Sequence, residues 1–363
     1  MSIAAVHTEL ITARLLRSWG PEAPRNHLIA VTVVADDGAT GTGFSWTPTI
    51  GARAVQALLD DDLAAFVRGR DEHPEVLWDD AWKFLHEGGT GLTGIALAGI
   101  DLALWDLRAR RAGLSVPALL GRRQQDVAVY GSGVNLHYEL DELREQVRRW
   151  VAAGFGAVKI KVGRPDLRED VERVAAVREL LGPDRGLMID ANQRWDLPTA
   201  RRALDALEPF APSWLEEPLR ADDLEGYRQL RRFSCVPIAL GENLHNVYRF
   251  RDFIAAGAVD IVQPNIVRVG GITPFRRIVE LARTHNVGIA PHLLPELSGQ
   301  LALTLAEPTM VEVVEDAGFA DLGVLAGPSP VRVTGSRLEL LDRPGLGLAL
   351  RQQALPALQE AAV

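Results

Sequence analysis

Three carboxylic acids recur at one interval in this chain. The same 26-residue step separates Asp190 from Glu216 and Glu216 from Glu242 (216 − 190 and 242 − 216). Each closes a short apolar run, as do Lys159 and Lys161 upstream and His292 downstream. One strand, one helix and two loops occupy about such a length, so the acids belong at successive strand ends. Three carboxylates gathered there would repel one another unless a cation lay between them. Hard oxygen ligands on rigid strand ends suit Mg²⁺. Taken singly, each acid reads equally well as a solvated residue at a loop start. The regular spacing, with the lysine pair upstream, is what favours a metal site.

The elements that must position these residues are short strand-like runs at 158–162, 186–191, 213–217, 237–242 and 288–292, separated by helix-length segments such as 169–181 and 275–285. Further runs at 127–134, 259–264 and 310–315 bring the count of strand positions to eight. Alternating strands and helices imply right-handed crossovers and a parallel sheet. Eight such strands suggest an α/β barrel of the TIM type, with its chemistry at one mouth. Ahead of it lies an α+β segment. A strand at 28–35 turns at Asp36-Asp37-Gly38 and returns over 41–46, helices follow at 54–67 and 76–85, and 87–91 is a flexible loop. A helix at 93–112, ended by Gly113, is apolar all round up to Leu107 and therefore buried. Asp101 and Asp106 on it are expected to cap or pair locally. The expected division is an N-terminal α+β capping domain over 1–125, the barrel over 126–330, and a C-terminal segment over 331–363, with a strand at 337–341, that packs back on the capping domain and completes it. If the cap covers the barrel mouth, its loops at 17–24 and 46–51 wall in the substrate, and Trp19, Trp46 and Thr47 are the contacts they offer, each with an ordinary packing alternative.

With 363 residues, 47% of them hydrophobic, the chain can bury a large core. Its net charge of −9 argues against nucleic acid as a partner. The single cysteine, Cys235, permits no disulfide within the chain and fits a reducing compartment. No run reaches membrane-spanning length, and the N-terminus lacks the basic-then-apolar order of a signal peptide. The expectation is a cytoplasmic protein with no membrane partner.

In this order the motifs resemble those of the enolase superfamily, mandelate racemase subgroup, over nearly the whole chain. Residues 95–107 resemble the family's N-terminal signature helix. Lys159-Ile160-Lys161 is similar to its Lys-x-Lys, and Asp190-Ala191-Asn192, Glu216-Glu217-Pro218 and Gly241-Glu242-Asn243 to its three ligand motifs. Val269-Gly270-Gly271-Ile272-Thr273 and Pro291-His292 match later strands. The resemblance implies a modified (β/α)7β barrel with one Mg²⁺ cofactor, a small-molecule carboxylate substrate, and a homo-oligomer. It also implies removal of the proton α to that carboxylate, the general chemistry of the superfamily. Lys161 would be the base, neutral because a cation and a second lysine lower its pKa, and Lys159 would hold its ammonium over a carboxylate oxygen. Both point to one face of a strand. The plain alternative is two lysines snorkelling at a strand end. His292, a residue type more often structural than catalytic, would face Lys161 across the substrate. Glu312 matches the eighth-strand acid that hydrogen-bonds the developing enediolate, with Glu315 as the competing alignment. Asn192 is a substrate contact on this reading, and His245 either touches a hydroxyl or carboxylate or supports a residue that does.

One position departs from the pattern. Where the subgroup carries an Asp that orients and charges the histidine, this chain has Asn265. An amide can hold the ring but cannot stabilise an imidazolium by charge. In a serine-protease triad the same exchange costs about 10⁴ in rate. The expected function is therefore β-elimination of water from an acid sugar after α-proton removal, giving a 2-keto-3-deoxy acid. The 241–245 and 272–275 runs are similar to those of galactarate and talarate dehydratases. A racemase or epimerase of a 2-hydroxy acid or amino-acid derivative is the alternative. A catalytically impaired, metal-dependent binding protein is the alternative of another class.

Overall fold

The computed structural model describes residues 1–19 and 23–351. Residues 20–22 of the loop expected to wall in the substrate, and the tail beyond 351, lie outside the described residues.

The chain opens with a three-stranded antiparallel sheet, β1 (Ile3–Arg14), β2 (Arg25–Ala35) and β3 (Thr40–Thr47). The twelve residues of β1 were not expected from the sequence, because most are only part-buried and show no alternation of period two. α1 (Ala52–Ala57), a π-helical turn at Leu58–Leu63 and α2 (Ala64–Val67) form the helix expected at 54–67, and α3 (Pro74–Phe84) follows. α4 (Leu92–Arg111) is buried along nearly its whole length against β2 and β3. The approach is so close that a Cβ at Gly41 or Gly43 would collide with the α4 backbone, and one at Gly99 with Val31. Backbone can lie on backbone here only through glycine.

A short helix, α5 (Val116–Leu119), leads into eight parallel strands. They are β4 (Asp126–Ser132), β5 (Ala157–Lys161), β6 (Gly186–Asp190), β7 (Trp214–Glu216), β8 (Ile238–Leu240), β9 (Ile261–Val262), β10 (Gly288–Ile289) and β11 (Met310–Val314). Seven helices alternate with them: α6 (Leu140–Ala152), α7 (Leu167–Leu181), α8 (Leu197–Leu207), α9 (Leu224–Phe233), α10 (Val247–Ala255), α11 (Ile272–Thr284) and α12 (Pro295–Ala302). No helix follows β11 directly, which is the expected (β/α)7β order. Asp166, Asp196, Asp223 and Asn246 each accept a backbone N–H at the start of their helix, satisfying donors a helix leaves free. Backbone ladders join β10 through β4 in order and β4 to β11. Between β10 and β11 the link is a side chain, the Thr309 hydroxyl on the Ile289 carbonyl at 2.5 Å.

Alternation along the strands sets what lies inside. Tyr130, Ala157, Met188, Trp214, Ala239 and Ala290 form one apolar layer in the interior, with Tyr130 and Trp214 edge to face at 5.5 Å. Two residues further along, on the same face, stand Ser132, Lys159, Asp190 and Glu216. Lys161 is one step higher again. The polar groups therefore rest on an apolar floor.

The C-terminal segment divides. β12 (Val331–Thr334) and β13 (Arg337–Leu340) form a hairpin that joins the barrel sheet, β13 pairing antiparallel with β4. It does not extend the β1–β3 sheet of the cap. β4 is only partly covered by β5, whose ladder reaches it at Gly131 and Ser132, and the hairpin takes the free stretch. Residues beyond it reach the cap elements: Leu346 N–H donates to Asp106 at 2.6 Å and Gly345 exchanges backbone bonds with Leu114 and Val116.

Asp106 pairs locally as expected, with Arg110 one turn on at 2.6 Å, and also accepts distant N–H groups, whereas Asp101 acts far from its own helix turn. Asp101 is buried and accepts the backbone N–H (3.0 Å) and the hydroxyl (2.5 Å) of Thr273, in the first turn of α11. Trp105 Nε1 donates to the same hydroxyl at 3.0 Å, and Trp78 Nε1 to the Gly270 carbonyl at 2.8 Å. α3 and α4 thereby clasp the loop 265–271 that leads into α11. Burial pushes the Asp101 carboxyl up to about 7.

Candidate active site

The three predicted ligands converge. Asp190, Glu216 and Glu242 each present an oxygen, all within 4.8 Å of one another, and all three residues are buried. Asp190 and Glu216 end their strands. Glu242 stands two residues beyond β8, after Gly241, whose φ of 148° is one L side chains rarely adopt. A Cβ at Gly241 would also press on the backbone of Gln263. Burial, and then the neighbouring Asp190 charge, push the Glu216 carboxyl up to about 8. An all-oxygen set with that much buried negative charge fits a hard divalent cation.

Both lysines point in. Lys159 is fully buried, its Nζ 2.7 and 2.9 Å from the two oxygens of Glu216 and 2.9 Å from Glu312 Oε1. Lys161 donates to Asp190 Oδ2, and its own N–H is held by Asn135 Oδ1 at 2.9 Å. Among the protein's own groups the direction of the pKa change is opposite to the one expected for Lys161 beside a cation. Burial is the largest single influence and lowers it, but the Asp190, Glu216 and Glu242 carboxylates together outweigh burial and set it above the ordinary lysine range. Its nearest charge is an acid rather than the second lysine.

Glu312, not Glu315, is the acid at the mouth. Its Oε1 accepts from Ser132 Oγ at 2.7 Å and its Oε2 from the Leu293 N–H at 3.1 Å. Burial would raise it, but Lys159 and then His292 hold it down at about 2. Glu315 is turned away, paired with Arg149 at 2.9 Å.

His292 Nε2 lies 2.9 Å from Glu242 Oε2, and Nδ1 lies 3.0 Å from Asn265 Nδ2. The orientation of Asn265 is set by its other end, since Oδ1 accepts the N–H groups of Val267 and Arg268, both at 3.1 Å. Its NH₂ must then donate to Nδ1. Nδ1 is therefore an acceptor and the ring proton sits on Nε2.

A cavity of about 240 Å³ opens on Lys161, Glu242, His292 and Glu312, bounded on the cap side by Trp19, Trp46 and Thr49. It adjoins a second of about 460 Å³, and Trp19, Lys161 and Asn192 line both. Trp46 and Asn192 thus stand where the sequence predicted. Thr47 does not, being buried with an unpartnered hydroxyl oxygen and no place among the lining residues. His245 is also outside the lining; burial, then the charge of Arg268, depress it.

Several polar residues here were not singled out from the sequence. Gln263 donates to Glu216 Oε2 at 2.6 Å, and Ser132 and Asn135 brace Glu312 and Lys161. Ser132 is two residues from Tyr130 and Gln263 two from Asn265, so the period of two carried a signal for both. Arg268 lines the inner cavity, bonded to the Glu242 carbonyl at 2.9 Å with its guanidinium over Trp46 at 5.8 Å. It lies in a loop, where no periodicity marks it.

Known proteins are similar to this chain in sequence and fold. Residues 22–121 match the mandelate racemase / muconate lactonizing enzyme N-terminal domain, and residues 142–354 the enolase C-terminal domain-like family. The chain is 39% identical over 325 residues, 89% of each protein, to a 3,6-anhydro-alpha-L-galactonate cycloisomerase of Streptomyces coelicolor. It is 37% identical to an L-talarate/galactarate dehydratase of Salmonella typhimurium, over 90% of this chain and 81% of that one. The crystal structure of L-talarate dehydratase from Polaromonas sp. JS666, complexed with Mg and L-glucarate, superposes with a TM-score of 0.87 at 35% identity, covering 96% of this chain and 95% of the other. Among the described residues no helix is long and apolar enough to cross a membrane.

Proposed function

Since the chain is an enzyme of the mandelate racemase / muconate lactonizing enzyme family, within the enolase superfamily, we propose that it is a Mg²⁺-dependent acid-sugar dehydratase. It removes the proton α to a carboxylate and expels the β-hydroxyl, and the enol tautomerises to a 2-keto-3-deoxy acid. Held by Asp190, Glu216 and Glu242, Mg²⁺ would offset the charge that develops on the substrate carboxylate and draw on Asp190, the acid that keeps Lys161 protonated. Lys161 takes the α-proton on Nζ. Lys159, anchored by Glu216 and Glu312 on either side, keeps its ammonium charge and faces a carboxylate oxygen. Glu312, braced by Ser132, sits where it can hydrogen-bond the enediolate once protonated.

The observation that carries the choice of dehydration is the Asn265–His292 contact. A racemase needs the opposite face served by a ring that is bare in one direction and doubly protonated in the other. Double protonation would turn Nδ1–H against the amide N–H of Asn265. The single tautomer held here, Nε2–H, suits a group that works in one direction only, giving its Nε2 proton to the leaving hydroxyl so that it departs as water and being reprotonated afterwards from solvent. Incubation of a panel of acid sugars with Mg²⁺ tests this. A semicarbazide-reactive keto acid, with the substrate's mass reduced by one water, is expected. A change in optical rotation alone would refute it.

A second reading has its own support in the similarity to a cycloisomerase. Where the β-oxygen belongs to a ring, the same elimination opens that ring and keeps its oxygen, so the product is an isomer. The residues named above have the same tasks in both cases. Product mass separates them, since ring opening conserves it.

A further inference from the structure

The two adjoining cavities differ in charge. The inner one sets Glu242 and Glu312 against Lys161 and Arg268 and is balanced. The outer one holds the side chains of Lys161, Arg164, Arg194 and His137, with Glu169 as its one acid. Most of that positive charge is already answered. Lys161 is on Asp190. Arg164 gives Nη1 to Glu169 at 2.7 Å, Nη2 to the Tyr138 carbonyl at 2.7 Å and Nε to the Leu136 carbonyl at 3.1 Å. The Arg194 guanidinium has no partner among the described residues, although it lines the same cavity as Lys161 and Asn192.

Its position is built. Asn192 and Gln193, directly after Asp190, both have positive φ, 42° and 62°. Two consecutive non-glycine residues in that region carry strain, and the fold locks them there. The Gln193 N–H donates to the Glu217 carbonyl at 2.7 Å, while its side chain gives Nε2 to Glu217 Oε2 at 3.1 Å and accepts the Ala221 N–H at 2.8 Å. The tight turn throws Asn192 and Arg194 over the mouth. There the Arg194 stem lies against Gly163, where an added Cβ would come within 2.7 Å of Arg194 Cδ. A larger residue at 163 would displace it.

We propose that the outer cavity is a subsite for a second carboxylate, with Arg194 as its counter-ion, and that the preferred substrate is a sugar diacid rather than a sugar monoacid. This rests on the reading of the inner cavity as an acid-sugar site. One carboxylate occupies the inner cavity between Lys159, Lys161 and the three acids. The chain of hydroxyl-bearing carbons passes Asn192, and the far carboxylate meets a planar guanidinium suited to pairing both its oxygens.

The test is calorimetric binding to the Mg²⁺-loaded full chain, wild type and Arg194→Gln, of six-carbon sugar diacids and the monoacids of matching configuration. Turnover of each is measured separately. Wild type should bind its best diacid about ten- to a hundredfold more tightly than the matched monoacid, and added salt should narrow the gap. Arg194→Gln should remove most of that preference, and Arg194→Lys should restore part of it. Equal binding of diacid and monoacid by wild type, a preference unchanged in Arg194→Gln, or no binding of any diacid would each overturn the subsite. If diacids bind with the expected preference but none is converted, the subsite stands and the proposed reaction fails. If monoacids alone are bound and converted, the reaction stands and the subsite fails.

Discussion

Asn265→Asp is the substitution that bears most directly on the chemistry. In wild type the imidazolium form of His292 would set Nδ1–H against the Asn265 amide, forfeiting a buried bond now 3.0 Å long. Leaving a buried donor unsatisfied costs about 1–3 kcal/mol, and each 1.4 kcal/mol is about tenfold in population. Aspartate would accept from Nδ1–H while still accepting the N–H groups of Val267 and Arg268, so that penalty disappears. Proton exchange at the substrate's α-carbon from the His292 face should therefore rise about ten- to a hundredfold. The assay follows deuterium incorporation from D₂O by NMR, with stereochemical assignment of the exchanged face, in wild type, Asn265→Asp and His292→Asn. Wild-type exchange already fast on the His292 face would refute the tautomer reasoning. So would an Asn265→Asp variant that gains nothing while a crystal structure shows the new carboxylate against Nδ1.

Glu242→Gln should abolish measurable Mg²⁺ binding by calorimetry and with it turnover, while the far-UV spectrum stays that of the folded chain. Glu216 is less suited to this test, because it also carries the fully buried Lys159 ammonium. EDTA should abolish activity and added Mg²⁺ restore it; full activity in chelated protein would count against the metal site. Lys161→Ala should lower turnover by about 10²–10⁴ and stop α-exchange on its own face, and undiminished exchange there would remove it as the base. Glu296, buried in the first turn of α12 with Oε2 unpartnered, has its carboxyl pushed up by burial to about 7. Its folded form holds the proton more tightly, so its contribution is complete below the ordinary carboxyl range and is lost as pH rises to about 7, by at most about 3 kcal/mol. Glu296→Gln should thus gain on wild type in denaturant midpoint between pH 5 and 8, and a pH-independent difference would be the contrary result.

Most of the site was legible because its residues sit in periodic structure. Lys159, Asp190 and Glu216 fall in one phase of consecutive strands, and a repeat of strand, helix and loops places them together whatever the details. Glu242 and His292 were legible as motif residues although the ladders stop short of them, at Leu240 and Ile289. Arg194 and Arg268 were not, since loop conformation decides what they face, and two positive-φ residues before Arg194 leave no trace in composition. Asp106 does pair locally, with Arg110, but the distant partners of Asp101 and Asp106, Thr273 and Leu346, are 172 and 240 residues away and leave no local sign in the sequence. β1 went unseen for a different reason, its part-buried faces giving no alternation to read. The hairpin at 331–340 joined the barrel because a free stretch of β4, which no sequence pattern marks, was there to receive it.

The clasp of α3 and α4 on the loop before α11 has a consequence for how substrate enters. Domains that close on a ligand by swinging need an interface that can slide or part. Here a buried carboxylate and two indole N–H groups fix the cap to the barrel, and the residues fixed include the loop that carries Asn265 and Arg268. Swinging the cap would strip Asp101 of its donors in the interior and shift the partner of His292 at once. Closure by a swinging cap is therefore disfavoured. Pro48 and Thr49, at the rim of the inner cavity, lie outside that clasp.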